Sequence, residues 1–310
     1  LKQAVIEKFR RDNGLAYSPK QIIVSCGGKH SFFNIVQATI DPGDEVIIPG
    51  PYWASFPDIV ALAGGVPVIV QTGIAQAFKI SATQLEQAIT PRTRMLILNS
   101  PSNPTGAIYS RDELAALGEV LARHPQVLIV SDDMYEHILF DDRPFVNILN
   151  VCPELYGQTV IMNAVSKTYA MTGWRIGFAA GPEDVVAAMV NVQSQSTSNP
   201  TSIAQVAAEA ALNGDQSCIR PMVQAFRDRH DFVVPYLNGM RGIRCLPSGG
   251  AFYAFADVRE AIRHLHEMHR LEKADDESFC DFILETAKVS VVPGSAFCIV
   301  GYLRTSFATS

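Results

Sequence analysis

Four charged side chains stand beside or within runs that otherwise read as apolar strands. The stretch VLIVSDDMYEH sets Asp132 just beyond a β-rich run, with Tyr135 three residues on. A second run, TVIMNAV, leads directly into Ser166 and Lys167. MTGWRIGF places Arg175 inside an apolar segment expected to be a strand, and GYLRTSF does the same with Arg304. A carboxylate or guanidinium in such surroundings demands an opposite charge or hydrogen-bonding partners. For Asp132 the plainer alternative is a helix cap, which Ser131 or Asp133 could also supply. Two further stretches offer uncharged donors. SCGGKHS, residues 25–31, passes through Gly27 and Gly28 into a helix starting near Lys29, which reads as either a plain turn or a phosphate cup built on a helix N-terminus. SPSNPTG, residues 100–106, falls at the carboxyl end of an expected strand, where open α/β sheets bind ligands. There Asn103 could present its amide to a ligand oxygen or simply organise the turn.

Other chemistries lack their sequence marks. No GxGxxG, GxxxxGK[ST] or GxSxG motif occurs, so dinucleotide, P-loop and serine-hydrolase readings have no support. HLHEMHR gathers His264, His266 and His269, but Arg270 stands where HExxH needs its second histidine. That cluster reads as a solvated helix face, and no metal is expected. The six cysteines form no CxxC pair and read as scattered thiols of a reducing compartment, which points to the cytoplasm. With 25 basic against 31 acidic residues and a net charge of -6, the chain does not look like a nucleic-acid binder. No apolar run reaches the roughly 18 residues of a membrane span.

The elements that must position these residues alternate in a βα pattern over the first two thirds. Expected strands are Gln21–Ser25, Glu45–Ile48, Pro67–Val70, Met95–Leu98, Val127–Val130, Thr159–Met162 and Trp174–Ala179. Helices fall between most of them. Short β-branched runs bounded by Gly, Pro and Asp indicate an α/β fold with a mostly parallel sheet covered by helices. Helices Glu183–Val192, Ile203–Leu212 and Ser217–Leu237 follow, the last interrupted near its start by Pro221. A smaller α+β part then has strands at Phe252–Phe255, Val289–Val292 and Tyr302–Phe307 and a helix at Ser278–Thr286. The division expected is a large domain over 1–205 and a small one over 206–310. The opening LKQAVIEKFR suggests that the chain is part of something longer.

An anion cup, a candidate ring-binding amide and tyrosine, a carboxylate, a lysine and two embedded arginines are together the parts of a pyridoxal-phosphate site. The motifs carry the point further. DPGDEVIIPGPYW, SPSNPTG, SDDMYEH, SKTYAMTGWRIGFAAGP, PSGGAFY, VVPGSAF and YLRTSFATS resemble a class I/II (fold-type I) pyridoxal-phosphate-dependent aminotransferase, nearest to the bacterial-type aspartate aminotransferases. That resemblance implies a large, mostly parallel seven-stranded sheet domain with a smaller α+β domain, and a homodimer with active sites at the subunit interface. It implies that Lys167 carries the cofactor covalently and moves a proton, that Asp132 pairs with the pyridine nitrogen, and that Tyr135 and Asn103 face the ring's phenolic oxygen. Trp53 would stack on the ring and also meet substrate. Gly28, Lys29, Ser166 and Arg175 would hold the phosphate, with Gly27 adjacent, and Arg304 would clamp the substrate α-carboxylate. The implied reaction moves an amino group from L-aspartate or a related amino acid to 2-oxoglutarate in a ping-pong cycle. Aromatic, prephenate or alanine transaminases, a carbon–sulfur lyase and a ligand-sensing domain share most of this shell.

Three local departures from the family pattern stand out. Asp133 replaces the usual Glu, Ala164-Val165 replaces a glycine-containing approach to Lys167, and PSGGAFY carries an extra glycine that could alter a strand between the domains. Ser196 and Thr197, in NVQSQSTSNP, are expected to reach toward the partner subunit.

Overall fold

Successive residues of a strand face opposite ways, so a strand buried on both sides must be apolar throughout. IIVS, VIIP, MLILN and LIVS meet that requirement, and each divides its side chains between two cores. Ile22, Val24, Ile47, Leu96, Leu98, Ile129, Ile161 and Phe178 join one cluster. Ile23, Val46, Ile48, Met95, Ile97, Val130, Val160 and Met162 join the other. The structure, a computed structural model, describes residues 1–141 and 144–309.

The sheet strands are β1 (Ile22–Ser25), β2 (Glu45–Gly50), β3 (Val66–Gln71), β4 (Thr93–Asn99), β5 (Leu128–Asp132), β6 (Thr159–Ala164) and β7 (Gly177–Ala180). They lie in the order β1-β7-β6-β5-β4-β2-β3. The pairs from β6 through β3 are parallel, whereas β7 runs antiparallel to both β6 and β1. This reversal brings the entry to β7 beside the carboxyl ends of β1, β4, β5 and β6. Helices α1 (Lys2–Lys8), α2 (Gly28–Thr39), α3 (Ser55–Leu62), α4 (Ala82–Ala88), α5 (Arg111–Leu121), α6 (Val165–Thr168), α7 (Glu183–Ser194) and α8 (Ser202–Asn213) accompany this part of the chain. Capping boxes fix the starts of two of them, Ser81 with Gln84 on α4 and Ser110 with Glu113 on α5.

The smaller part contains α9 (Ile219–Asn238), β8 (Arg244–Cys245), β9 (Tyr253–Asp257), α10 (Arg259–Glu267), α11 (Asp276–Ala287), β10 (Val292–Pro293) and β11 (Tyr302–Ser306). Its four strands form an antiparallel sheet in the order β10-β11-β9-β8. Tyr135, Ile138 and Phe140, which follow β5, pack in one cluster with Phe226, Phe252 and Phe279 of this part. The segment after β5 is thus tied to both sheets. No helix among the described residues is long and apolar enough to cross a membrane.

Three expectations need correcting. Arg175 is not inside a strand. It follows the turn Thr172–Trp174 with φ +55°, a left-handed backbone that no strand accommodates, and β7 starts only at Gly177. The strand expected over Val289–Val292 is reduced to Val292–Pro293, which pair with Arg304 and Leu303 of β11, because Val289 and Ser290 are exposed and meet no neighbouring strand among the described residues. Pro221 does not interrupt its helix. It lies in the first turn of α9, where its missing N–H costs no intrahelical bond. The short strand β8 was not foreseen, whereas α10 supplies the helix face expected for His264 and His266.

Beneath the carboxyl edge of the sheet lies a buried polar cluster. Lys8 forms an ion pair with Glu136, and both side chains are only 3% exposed, so neither charge has water as an alternative partner. Lys8 also donates to Asn13 at 2.8 Å. Glu136 accepts from Asn13 at 2.8 Å and from Asn163 at 2.6 Å. Lys8→Met is expected to destabilise the fold by about 3–5 kcal/mol, because it strands the Glu136 charge. Lys8→Met with Glu136→Gln should recover part of that loss. Urea unfolding at neutral pH measures both, and a loss under 1 kcal/mol for the single variant would refute the pairing.

Candidate active site

The carboxyl edge of the large sheet opens onto a cavity of about 350 Å³ lined from both sheets. Lys29, Trp53, Asn103, Asp132, Tyr135, Ser166, Lys167, Arg175 and Arg304 all border it, together with Gly28. Gly27 does not line it but supports it from behind. Its φ is +91°, and a Cβ there would run into the Arg175 guanidinium. The glycine thus lets Arg175 lie flat against the turn that opens α2. Arg175 is held from its other side by donating to the Thr172 carbonyl at 2.7 Å.

The topology explains why residues so distant in sequence meet. Asp132 ends β5, and Lys167 sits on α6 immediately after the neighbouring β6. The loop after β4 supplies Asn103, whose N–H donates to Asn99 Oδ1 at 2.8 Å. Asn99 in turn donates to the Asp132 carbonyl at 3.2 Å, which locks these two strand ends together. Arg304 comes from β11 of the smaller sheet. It donates to Asn103 Oδ1 at 2.8 Å, which leaves the Asn103 amide N–H groups as donors. Its guanidinium stacks 4.6 Å from the Tyr253 ring and 4.8 Å from the Phe297 ring. Its buried Nε has no hydrogen-bond partner among the described residues.

Four cations, Lys29, Lys167, Arg175 and Arg304, face one carboxylate, Asp132, in this cavity. Such a balance suits ligands carrying several negative charges. Asp132 is buried, and among the described residues its carboxylate accepts only the Met134 N–H, at 3.3 Å. Burial, reinforced by the neighbouring Asp133, pushes its pKa up to about 7, while Lys167 pulls the other way. Burial also lowers the Lys167 pKa, and the charges of Arg304 and Arg175 lower it further. A lysine so placed more readily offers a neutral amine, the nucleophilic form. Lys29 is not free in the cavity, since its ammonium lies 5.1 Å from the Trp53 ring centroid.

The donor set fits pyridoxal phosphate. Arg175, Lys29 and Ser166 gather near the start of α2, whose Gly27 cap supplies no side-chain hydrogen bond to its N–H groups. The sparsely bonded Asp132 carboxylate suits a cationic ring nitrogen, and Lys167 suits an aldehyde. Asn99, Met134, Met162, Thr172 and Tyr253 also border the cavity and escaped the sequence reading. Asn99 precedes SPSNPTG directly, and Tyr253 closes PSGGAFY, so position beside a motif was the available signal.

The local departures have ordinary structural accounts. Asp133 turns away into the buried polar cluster, accepting from Ser131 at 2.6 Å and from Asn147 at 3.0 Å. Ala164 is extended and needs no glycine. The doubled glycine of PSGGAFY tightens a join. Gly249 and Gly250 donate to the Gly106 carbonyl at 3.0 and 3.2 Å, and Gly250 pairs with Leu139. A Cβ on Gly250 would strike the Ile138 carbonyl. Ser196 and Thr197 are exposed beyond α7 and do not border the cavity. His264 and His266 lie on α10, and His269 follows it. A different trio, Asp12, Glu136 and His137, has ligand atoms within 4.8 Å of one another. The Lys8 ammonium already supplies the positive charge there.

Comparison with known proteins identifies the class. The family profile described as aminotransferase class I and II matches residues 1–310. The chain is 62% identical to an aspartate/prephenate aminotransferase of Nitrosomonas europaea, covering all of this chain and 78% of that protein. It is 53% identical to an aspartate/prephenate aminotransferase of Cereibacter sphaeroides, covering 77% of it. The crystal structure of the aspartate aminotransferase from Rhizobium meliloti superposes with a TM-score of 0.93 at 47% identity, covering all of this chain and 77% of that one. The aspartate aminotransferase of Thermus thermophilus with maleate gives 0.90 at 41% identity, with the same coverage. This chain belongs to the class I and II aminotransferases, of fold type I. Its cofactor is pyridoxal phosphate, and its activity is transamination between amino acids and 2-oxo acids.

Proposed function

We propose that this chain transfers the amino group of L-aspartate to 2-oxoglutarate in a ping-pong cycle. The observation that carries the reading is the convergence of Lys167, Asp132 and Arg304, from α6, β5 and β11, on one cavity. When bound, pyridoxal phosphate supplies an aldehyde carbon that condenses with amines and a conjugated ring that accepts the electron pair left as the α-proton departs. Lys167 would hold the cofactor covalently and, as a free amine, would take the α-proton. Asp132 would keep the ring nitrogen protonated. Asn103 and Tyr135 would offer donors to the phenolic oxygen, and Trp53 would pack against the ring. Gly28, Lys29, Ser166 and Arg175 would hold the phosphate. Arg304 grips the α-carboxylate in a bidentate fork, already aligned by the two flanking rings.

Arg304→Ala is expected to raise the KM for aspartate about 100-fold, with a smaller change in kcat, since a charge-paired carboxylate contact is worth a few kcal/mol. Unchanged affinity for succinate would remove Arg304 from substrate binding. We divide the chain between α8 and α9, a few residues beyond the expected 205, because Ala204, Ala208 and Leu212 of α8 all pack in the core of the large sheet. We also assign it a homodimer in which Ser196 and Thr197 reach the other subunit's site. The six free cysteines suit a reducing compartment such as the cytoplasm.

The deciding experiment adds L-aspartate alone to the loaded enzyme. Loss of the cofactor's visible band with one equivalent of oxaloacetate, reversed by 2-oxoglutarate, is the expected result. A band indifferent to aspartate would overturn the substrate assignment. The two aspartate/prephenate relatives favour a second acceptor, and prephenate in place of 2-oxoglutarate tests it in the same cuvette.

A further inference from the structure

Tyr253 touches both halves of the active site, Arg304 through its ring and Tyr135 through its hydroxyl. It opens β9, which pairs antiparallel with β11 so that Tyr253 stands opposite Ser306 and Phe255 opposite Arg304. Tyr253 and Arg304 are therefore diagonal neighbours on one face of the sheet, within reach of an aromatic ring and a long side chain. The contact is made, with the Arg304 guanidinium 4.6 Å from the centroid of the Tyr253 ring. At its far end the Tyr253 hydroxyl meets the Tyr135 hydroxyl at 2.8 Å. Both tyrosines are buried, at 6% and 4% exposure, so water does not compete for that bond. The two rings pack edge to face at 5.9 Å, and Phe252 packs against each of them.

We propose that Tyr253 is a positioning residue that couples the carboxylate clamp of Arg304 to the hydroxyl of Tyr135. Two hydroxyls 2.8 Å apart share one hydrogen, and each can act as the donor. The guanidinium on the Tyr253 ring draws electron density from its hydroxyl, which makes Tyr253 the donor and Tyr135 the acceptor. The Tyr135 hydrogen is then released to point into the cavity. A hydroxyl that accepts one hydrogen bond donates the next more strongly, so Tyr253 strengthens whatever bond Tyr135 offers there. Through its ring, Tyr253 also holds the guanidinium plane in place for a carboxylate. One side chain thus serves the cofactor with its hydroxyl and the substrate with its ring.

The inference rests on the pyridoxal reading of the cavity, and two substitutions separate its parts. Tyr253→Phe keeps the ring and removes the hydroxyl. With Tyr135 a weaker donor, the phenolic oxygen holds its negative charge less well and the cofactor linkage keeps its proton to higher pH. The pH midpoint of the visible band is expected to rise by about 0.3–0.5 unit. The Kd for succinate, a dicarboxylate that cannot react, should change less than about twofold. Tyr253→Leu removes the ring as well and should weaken succinate binding about tenfold, the scale of a desolvated cation–π contact. A wild-type band midpoint in Tyr253→Phe would overturn the hydroxyl link, and wild-type succinate affinity in Tyr253→Leu would overturn the ring contact. Absence of any visible band in the loaded wild-type protein would instead overturn the pyridoxal reading itself.

Discussion

Lys167→Ala is expected to lower transamination by about 10⁴-fold or more, because one side chain serves as both covalent anchor and proton carrier. The expectation comes from placement. Lys167 follows β6 at the edge where the other functional side chains gather, and its amine faces the aromatic rings of Phe252 and Tyr135 at 5.4 and 5.9 Å. Burial and two nearby arginines favour its neutral form more than water would. The cup of Arg175, Lys29 and Ser166 does not involve the lysine amine, so the variant should still bind cofactor noncovalently. Borohydride makes the distinction directly. After reduction and denaturation the wild-type chain should retain the cofactor and Lys167→Ala should release it. Turnover within tenfold of wild type would remove Lys167 from the chemistry.

Asp132→Asn should slow the chemical step by about 10³-fold, the scale of removing a preorganised charge from a water-excluded site. Asparagine fills the same space but cannot hold a proton on the ring nitrogen, so single-turnover rates should fall while folding persists. An unchanged single-turnover rate would refute the role. The raised pKa of Asp132 gives the prediction a second readout in the cofactor-free protein. The unfolded carboxyl loses its proton near pH 4, whereas the folded one keeps it up to about 7. Between those values the folded state holds more protons, so stability is greatest at the acid end and falls as pH rises through 7. Cofactor-free wild type should therefore lose thermal midpoint more steeply from pH 5 to 8 than Asp132→Asn. Asp133 remains in both proteins, so the difference belongs to residue 132. Cofactor binding should remove the extra slope by placing a positive nitrogen beside the carboxylate.

Much of this was written in local chemistry. Runs such as MLILN and LIVS announce strands buried on both faces, since neither face offers a polar row to water. The residues that border the cavity stand at the ends of these runs, so Asp132, Lys167 and Asn103 could be picked out before any contact was known. Arg304 inside its strand was equally visible. Arg175 was selected for the wrong reason. Its value lies in a left-handed turn that presses the guanidinium against Gly27, a long-range contact that no neighbouring residue encodes.

By itself the sequence determined the α/β class, the seven-stranded family it resembles and the residue types that make up the site, because strand burial and ligand chemistry are written in short stretches. Only the tertiary structure decided the strand order, in which an antiparallel β7 delivers Arg175 to the same edge as Lys167. It alone revealed the buried pairing of Lys8 with Glu136, separated by 128 residues, and the meeting of Tyr135 with Tyr253 across the two sheets. Those contacts depend on how distant elements pack, and pairing between distant side chains leaves no periodic trace in a single chain.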